Sequence, residues 1–192
     1  MISKHPVIFV IGKLLSDHLE SVSAKFLDKV KFVFVGTDEN ELKNYSAGKK
    51  LIVNEGIRDF YVDDSILFLN QKEFDNLQKA ILFLLGESTS MIVLFTAEDP
   101  LALSVTPMLV RASEETGTDP SFIAVKLQSH EDRVTTENLE FFLKNGYRLY
   151  MLEKNDGDFL LKANEEKSKN ELLMNVINSL VKSFKQAELK NL

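Results

Sequence analysis

The chain has 192 residues, 44% of them hydrophobic and 27% charged, with a net charge of −6 and no cysteine. That length and balance describe a soluble globular chain with enough residues to bury a full core, and predict one domain over residues 1–192. The acidic surplus argues against nucleic-acid binding, which needs basic residues for phosphates. The absence of cysteine excludes disulfides, thiol catalysis and thiolate metal sites.

The opening MISKHPVIFVIG passes from one lysine straight into an apolar run. It shows no secretory cleavage signal, and the longest apolar runs fall far short of the ~18–20 residues of a membrane span. The expectation is a cytoplasmic protein without membrane association.

Residues 7–11 (VIFVI) read as a buried strand, closed by Gly12. An amphipathic helix follows over 16–29, with Leu19, Val22 and Phe26 at helical spacing. A second strand covers 31–35 and ends at Gly36-Thr37-Asp38. Irregular chain then carries two short apolar stretches, 51–53 and 66–69, that fit strands. Residues 71–85 form a helix with Phe74, Leu77, Ile81 and Leu84 on one face, stopped by Gly86. A strand over 91–95 is followed by a helix over 104–116, ended by Gly117. A strand over 122–127, a helix over 136–145 and a strand over 147–152 come next. The charge-rich tract 153–170 reads as a solvated connection, with a turn at Asn155-Asp156-Gly157. A long helix over 166–188 closes the chain, its stripe formed by Leu173, Val176, Ile177, Leu180, Val181 and Phe184.

Near-continuous apolar strands alternating with amphipathic helices predict parallel strands covered on both faces. The expected fold is α/β, a three-layer sandwich around a mainly parallel, Rossmann-like sheet.

Several segments, in order, resemble the FtsZ/tubulin family. Val10-Ile11-Gly12 resembles the VIGVGGAGGN opening, and FVFVGTDENELKNYSAGKKLIVNEG resembles FIAINTDAQALKNSKAEIKIQIGE, with Thr37, Asp38, Leu42, Lys43, Asn44 and Ala47 in register. The strand at 91–95 followed by Thr96-Ala97 resembles DMVFITAG. FIAVKLQSHEDR resembles TVAVVTKPFSFEGR, and RLYMLEKND resembles TLIVIPND. The resemblance implies the fold of the family's N-terminal domain, and a role in cell division or the cytoskeleton.

In that family the third of these strands leads into a loop like TAGMGGGTGTGAAP, whose backbone wraps the phosphates of GTP. Here Thr96, Ala97 and Pro107 remain, with no glycine between them. Glycine lets backbone N–H groups approach an anion at positive φ without a Cβ in the way. The glycines that follow Gly12 in the family are likewise replaced, by Lys13-Leu14-Leu15-Ser16-Asp17. Both phosphate loops, at 13–17 and 98–106, therefore read as degenerate. The resemblance also implies a second domain beyond the long helix, with a loop whose acidic residues act on the GTP of a neighbouring subunit; this sequence ends with that helix. The expectation is a chain that is not an enzyme and holds neither cofactor nor metal.

The remaining candidates for a degenerate nucleotide site are Gly12, Thr37, Asp38, Thr96, Ala97, Glu98 and Asp99. Gly12 could admit a ligand to the backbone or simply permit a turn. Thr37 and Asp38 follow a strand's carboxyl end, where ligands gather in open α/β sheets, yet an Asp there also caps a helix, the reading preferred. Asp38, Glu98 and Asp99 could form a carboxylate cluster for a cation such as Mg²⁺. Acidic residues complementing a helix dipole are the preferred account of Glu98 and Asp99. His5, His18 and His130 lack ligand spacing, and no serine lies in a GxSxG pattern. Leu172, Met174, Leu189 and Leu192 lie partly off the stripe of the last helix and are the candidates for an apolar interface.

Three functional readings follow. The preferred one is a non-catalytic FtsZ/tubulin-like protein acting through protein–protein contacts, with itself or with a relative. The second is a small-molecule or nucleotide-binding α/β protein that uses Asp38, Thr96 and Glu98 at the carboxyl edge of the sheet. The third, an unrelated Rossmann-like adaptor, predicts a sheet order in which the first strand is not central.

Overall fold

The computed structural model describes residues 5–23, 29–45, 48–53, 71–86, 88, 90–126, 133–155, 158–163 and 171–190. The first strand, β1 (Val7–Ile11), is buried at every residue. Its alternate side chains enter two cores. Val7, Phe9 and Ile11 join one, while Ile8 and Val10 join the other. A strand with both faces covered has no position for a polar residue, which is why VIFVI is continuous rather than alternating.

The elements then run α1 (Lys13–Ser23), β2 (Lys31–Gly36), α2 (Glu39–Lys43), β3 (Lys49–Ile52), α3 (Gln71–Leu85), β4 (Ser90–Thr96), α4 (Pro100–Thr116), β5 (Asp119–Lys126), α5 (Arg133–Lys144), β6 (Leu149–Asn155), β7 (Asp158–Ala163) and α6 (Glu171–Lys190). All the described strands join one seven-stranded sheet in the order β3-β2-β1-β4-β5-β6-β7. Neighbours are parallel except β6 and β7. The register sets Val10 beside Phe34 on one side and Leu94 on the other.

On one face Leu77 and Ile81 of α3, Leu101, Val105 and Leu109 of α4, and Phe142 of α5 pack on the sheet. Within that core the Phe142 ring lies 5.2 Å from Phe95 and 4.6 Å from Phe122, centroid to centroid. On the other face are Leu15 and Leu19 of α1, Leu42 of α2, and Val176, Ile177 and Leu180 of α6. The architecture is the expected three-layer α/β sandwich, with β1 in the interior of the sheet.

Three local expectations are corrected. Helix α1 begins at Lys13, directly after Gly12, rather than at 16. Helix α4 begins at Pro100 rather than 104, so Pro107 lies inside it. The cause is local: Asp99 caps the helix and Pro100 sits in its first turn, where proline's missing N–H has no partner to lose. The third correction is β7. The tract read as a solvated connection contains an antiparallel edge strand, with Asn155 opposite Asp158 and Leu152 opposite Leu161. The expected strands at 66–69 and the turn residues Asp156 and Gly157 lie outside the described residues.

Candidate functional site

In this strand order the crossovers leave β1 and β4 in opposite directions: α1 covers one face and α4 the other. The carboxyl ends of β1 and β4 therefore flank a topological switch point, where open α/β sheets place their ligand crevice. Two tight connections meet there: Gly12, between β1 and α1, and Ala97-Glu98-Asp99, between β4 and α4.

Gly12 adopts φ of 93°, a left-handed conformation that favours glycine. Its N–H donates to the Val35 carbonyl at 3.1 Å. Its own carbonyl accepts from the Ser16 N–H at 3.2 Å and from Ser16 Oγ at 2.8 Å. A Cβ placed on Gly12 would lie 2.3 Å from Asp99 Oδ2, so the Asp99 carboxylate stands where a side chain would be. Its other oxygen, Oδ1, accepts the Leu101 N–H at 2.8 Å. The Asp99 N–H donates to the Thr96 carbonyl at 3.0 Å, and the Asp99 carbonyl accepts from Ala102 at 3.1 Å. Ala97, fully buried, donates its N–H to Val125 at 2.9 Å. The connection is a helix cap.

The structure separates the other candidates by role. Asp38 is exposed at the start of α2 and accepts the Asn40 N–H at 2.8 Å, the geometry of a cap. Thr37 beside it is half-buried, Thr96 is buried at the end of β4, and Glu98 is half-buried in the β4–α4 connection. No group of three or more His, Cys, Asp or Glu among the described residues is placed to hold a metal ion, so Asp38, Glu98 and Asp99 do not assemble the cation cluster considered from sequence. His5 meets the Lys29 carbonyl through Nδ1 at 3.2 Å. His18 is partly buried in α1; burial lowers its pKa from 6.5, with Asp17 opposing the shift. His130 lies outside the described residues.

The interface candidates fare differently. Met174 is half-buried and packs on the core beside α1 and α6, while Leu172 and Leu189 lie on α6 and Leu192 lies outside the described residues. Among the described residues, the exposed large apolar side chains are Phe83 at 77%, Leu143 at 57%, Leu160 at 48% and Ile52 at 44%. Phe83 had a sequence signal. In the run Ile81–Leu85 it falls off the Leu77, Ile81 and Leu85 stripe, so a helix must turn it outward.

With a Rossmann-like sheet, its topological switch point and the two short connections there described, comparison with solved structures identifies the fold. The chain shares the fold of the FtsZ/tubulin N-terminal domain. It superposes on FtsZ from M. jannaschii with a TM-score of 0.58 at 16% identity, over 95% of this chain and 56% of that one. CetZ from Methanosaeta thermophila gives 0.56 at 15% identity, over 95% and 52%. TubZ from Clostridium botulinum phage c-st gives 0.56 at 15% identity, over 81% and 53%. This chain thus spans about half the length of each of those proteins. No protein-family model matches the sequence, and no curated protein matches it. No helix among the described residues is long and apolar enough to cross a membrane.

Proposed function

We propose that this chain is an FtsZ/tubulin-fold protein without GTPase chemistry, a single domain that works in the cytoplasm through protein–protein contacts, with itself or with a relative of the same fold. The carrying observation is the Asp99 carboxylate, which caps α4 and covers Gly12. The FtsZ resemblance puts GTP phosphates at these two connections, held by glycine-rich backbone. Here the backbone N–H of Leu101 already has an anion, and that anion belongs to the chain. Like charges 4 Å apart at an effective dielectric of about 20 repel by about 4 kcal/mol. A cap contributes about 1 kcal/mol, so phosphate entry would demand both its loss and the rearrangement of Asp99.

Calorimetric titration of the protein with GTP and Mg²⁺ tests the reading. The expected result is no heat and no competition with a fluorescent GTP analogue. Binding at micromolar affinity would overturn it.

The switch-point geometry supports a second reading: Asp38, Thr96 and Glu98, at the ends of β2 and β4, hold a small molecule other than GTP. A thermal shift with such a ligand, abolished by Glu98→Gln, would favour it.

A further inference from the structure

The exposed Phe83 lies in the last turn of α3, next to the outer strand β3. The Lys49 ammonium of β3 sits 5.2 Å from the centre of its ring. Together they form a convex knob, an aromatic ring with attached positive charge, on a chain whose net charge is −6.

A concave counterpart lies at the amino-terminal ends of β5 and β6. It is a depression of about 330 Å³ bordered by Glu114, Thr118, Asp119, Tyr147 and Arg148. Its wall is aromatic: Tyr147 stacks on Phe141 at 6.0 Å and donates its hydroxyl to Glu114 at 3.1 Å. Its rim carries Glu114, exposed, while Asp119 is paired with Arg148 at 3.5 Å, so the net negative charge of the rim is that of Glu114. The C-terminal ends of α4 and α5, at Gly117 and Gly146, border it as well, and helix C-termini carry partial negative charge. A ring accompanied by a cation fits such a site in shape and in sign. The volume, at the lower end of the ~300–1,000 Å³ typical of ligand pockets, has room for one aromatic side chain.

The knob cannot reach the depression of its own chain, because α4 packs between α3 and α5. We propose that a second copy of this chain is the partner, with Phe83 and Lys49 of one copy seated in the Glu114–Tyr147 depression of the next. The inference rests on the reading of the protein as one that acts through contacts with itself, and it names the surfaces. Each copy carries both surfaces, so two copies close as a twofold pair if both contacts form at once; otherwise each added copy presents a new knob and a new depression, and growth continues as a ring or a filament. One knob and one depression make a small interface, so assembly depends on concentration and weakens with salt.

Sedimentation velocity over a range of protein concentrations is the test, with circular dichroism to verify folding. Wild-type protein is expected to sediment faster as concentration rises. Phe83→Asp, which loses the knob, and Glu114→Arg, which reverses the rim, should each raise the concentration needed for assembly by about tenfold or more. An equimolar mixture of the two variants should give a species of two chains and no larger one, because one partner retains only the depression and the other only the knob. Lys49→Glu provides the same comparison as Phe83→Asp if that variant does not fold. A wild-type protein that assembles while the variants assemble equally well overturns these surfaces and leaves self-association standing. Variants that are monomeric alone and still do not pair when mixed overturn the pairing. A wild-type protein that stays monomeric throughout overturns self-association itself.

Discussion

The carboxylate of Asp99 and the backbone of Gly12, on two different strand–helix connections, share one space: Oδ2 of Asp99 lies 2.3 Å from the position a Gly12 Cβ would take. Gly12 is thus required twice, by its φ of 93° and by the acid packed against it. Gly12→Ala should destabilise the protein by about 1–3 kcal/mol, from left-handed strain and displacement of the cap. In an Asp99→Gly background the same substitution should cost measurably less, since only the strain remains. Urea denaturation of the two single variants and the double variant measures the coupling, and additivity would show that the two connections are independent.

How much of this was legible in the sequence depends on burial. The strands β1, β2, β4 and β5 stood out because both faces are covered and each carries an unbroken apolar run at its centre. The edge strand β7 did not: Leu161 packs on the core, Leu160 and Lys162 are exposed, and Lys162 pairs with Glu153 on the next strand, so the segment reads as charged chain. Gly12 and Asp99 were both singled out, but their contact joins residues far apart in sequence and depends on the sheet order. The start of α4 was misplaced because the family frame drew a loop across it, although Asp99-Pro100 is itself the signature of a capped helix start. Phe83 needed only the helical period.

His18 gives an acid-side prediction. Burial lowers its pKa below 6.5 in the folded protein, Asp17 only partly offsetting the effect. As pH falls from 6.5 through the lowered folded value, the unfolded chain binds a proton that the folded one does not, so stability is lost across that window. Above 6.5 the contribution is fully present. His18→Gln should flatten this part of the stability–pH curve, as read from urea midpoints; an unchanged slope would show that the ring does not titrate differently on folding.

Tyr147 gives the opposite sign. Desolvation, then the hydrogen bond and charge of Glu114, raise its pKa above 10.0. Its contribution is present below pH 10 and is lost as pH rises through the folded value, because the unfolded chain releases the proton first. Phenolate absorbance should show a late-titrating component that Tyr147→Phe removes, and Glu114→Gln should bring that component back toward 10. A late tyrosine that Glu114→Gln leaves unmoved would assign the shift to burial alone.

Phe142 and Leu143 are adjacent on α5 and face opposite environments. Phe142 is fully buried between Phe95 and Phe122, whereas Leu143 is mostly exposed. Removing the Phe142 ring deletes its dispersion contacts and leaves a cavity in the core beneath α4 and α5, so Phe142→Ala should cost about 3–5 kcal/mol. Leu143→Ala removes nearly as many carbons from a position that water already reaches, and should change stability by less than about 0.5 kcal/mol. Chemical denaturation of the two variants compares burial in one turn of the helix, since the slightly larger propensity gain of Phe142→Ala, about a few tenths of a kcal/mol, is small against the expected difference. Equal destabilisation would mean that Leu143 is covered in solution, and sedimentation of Leu143→Ala beside the wild type would then show whether another copy covers it.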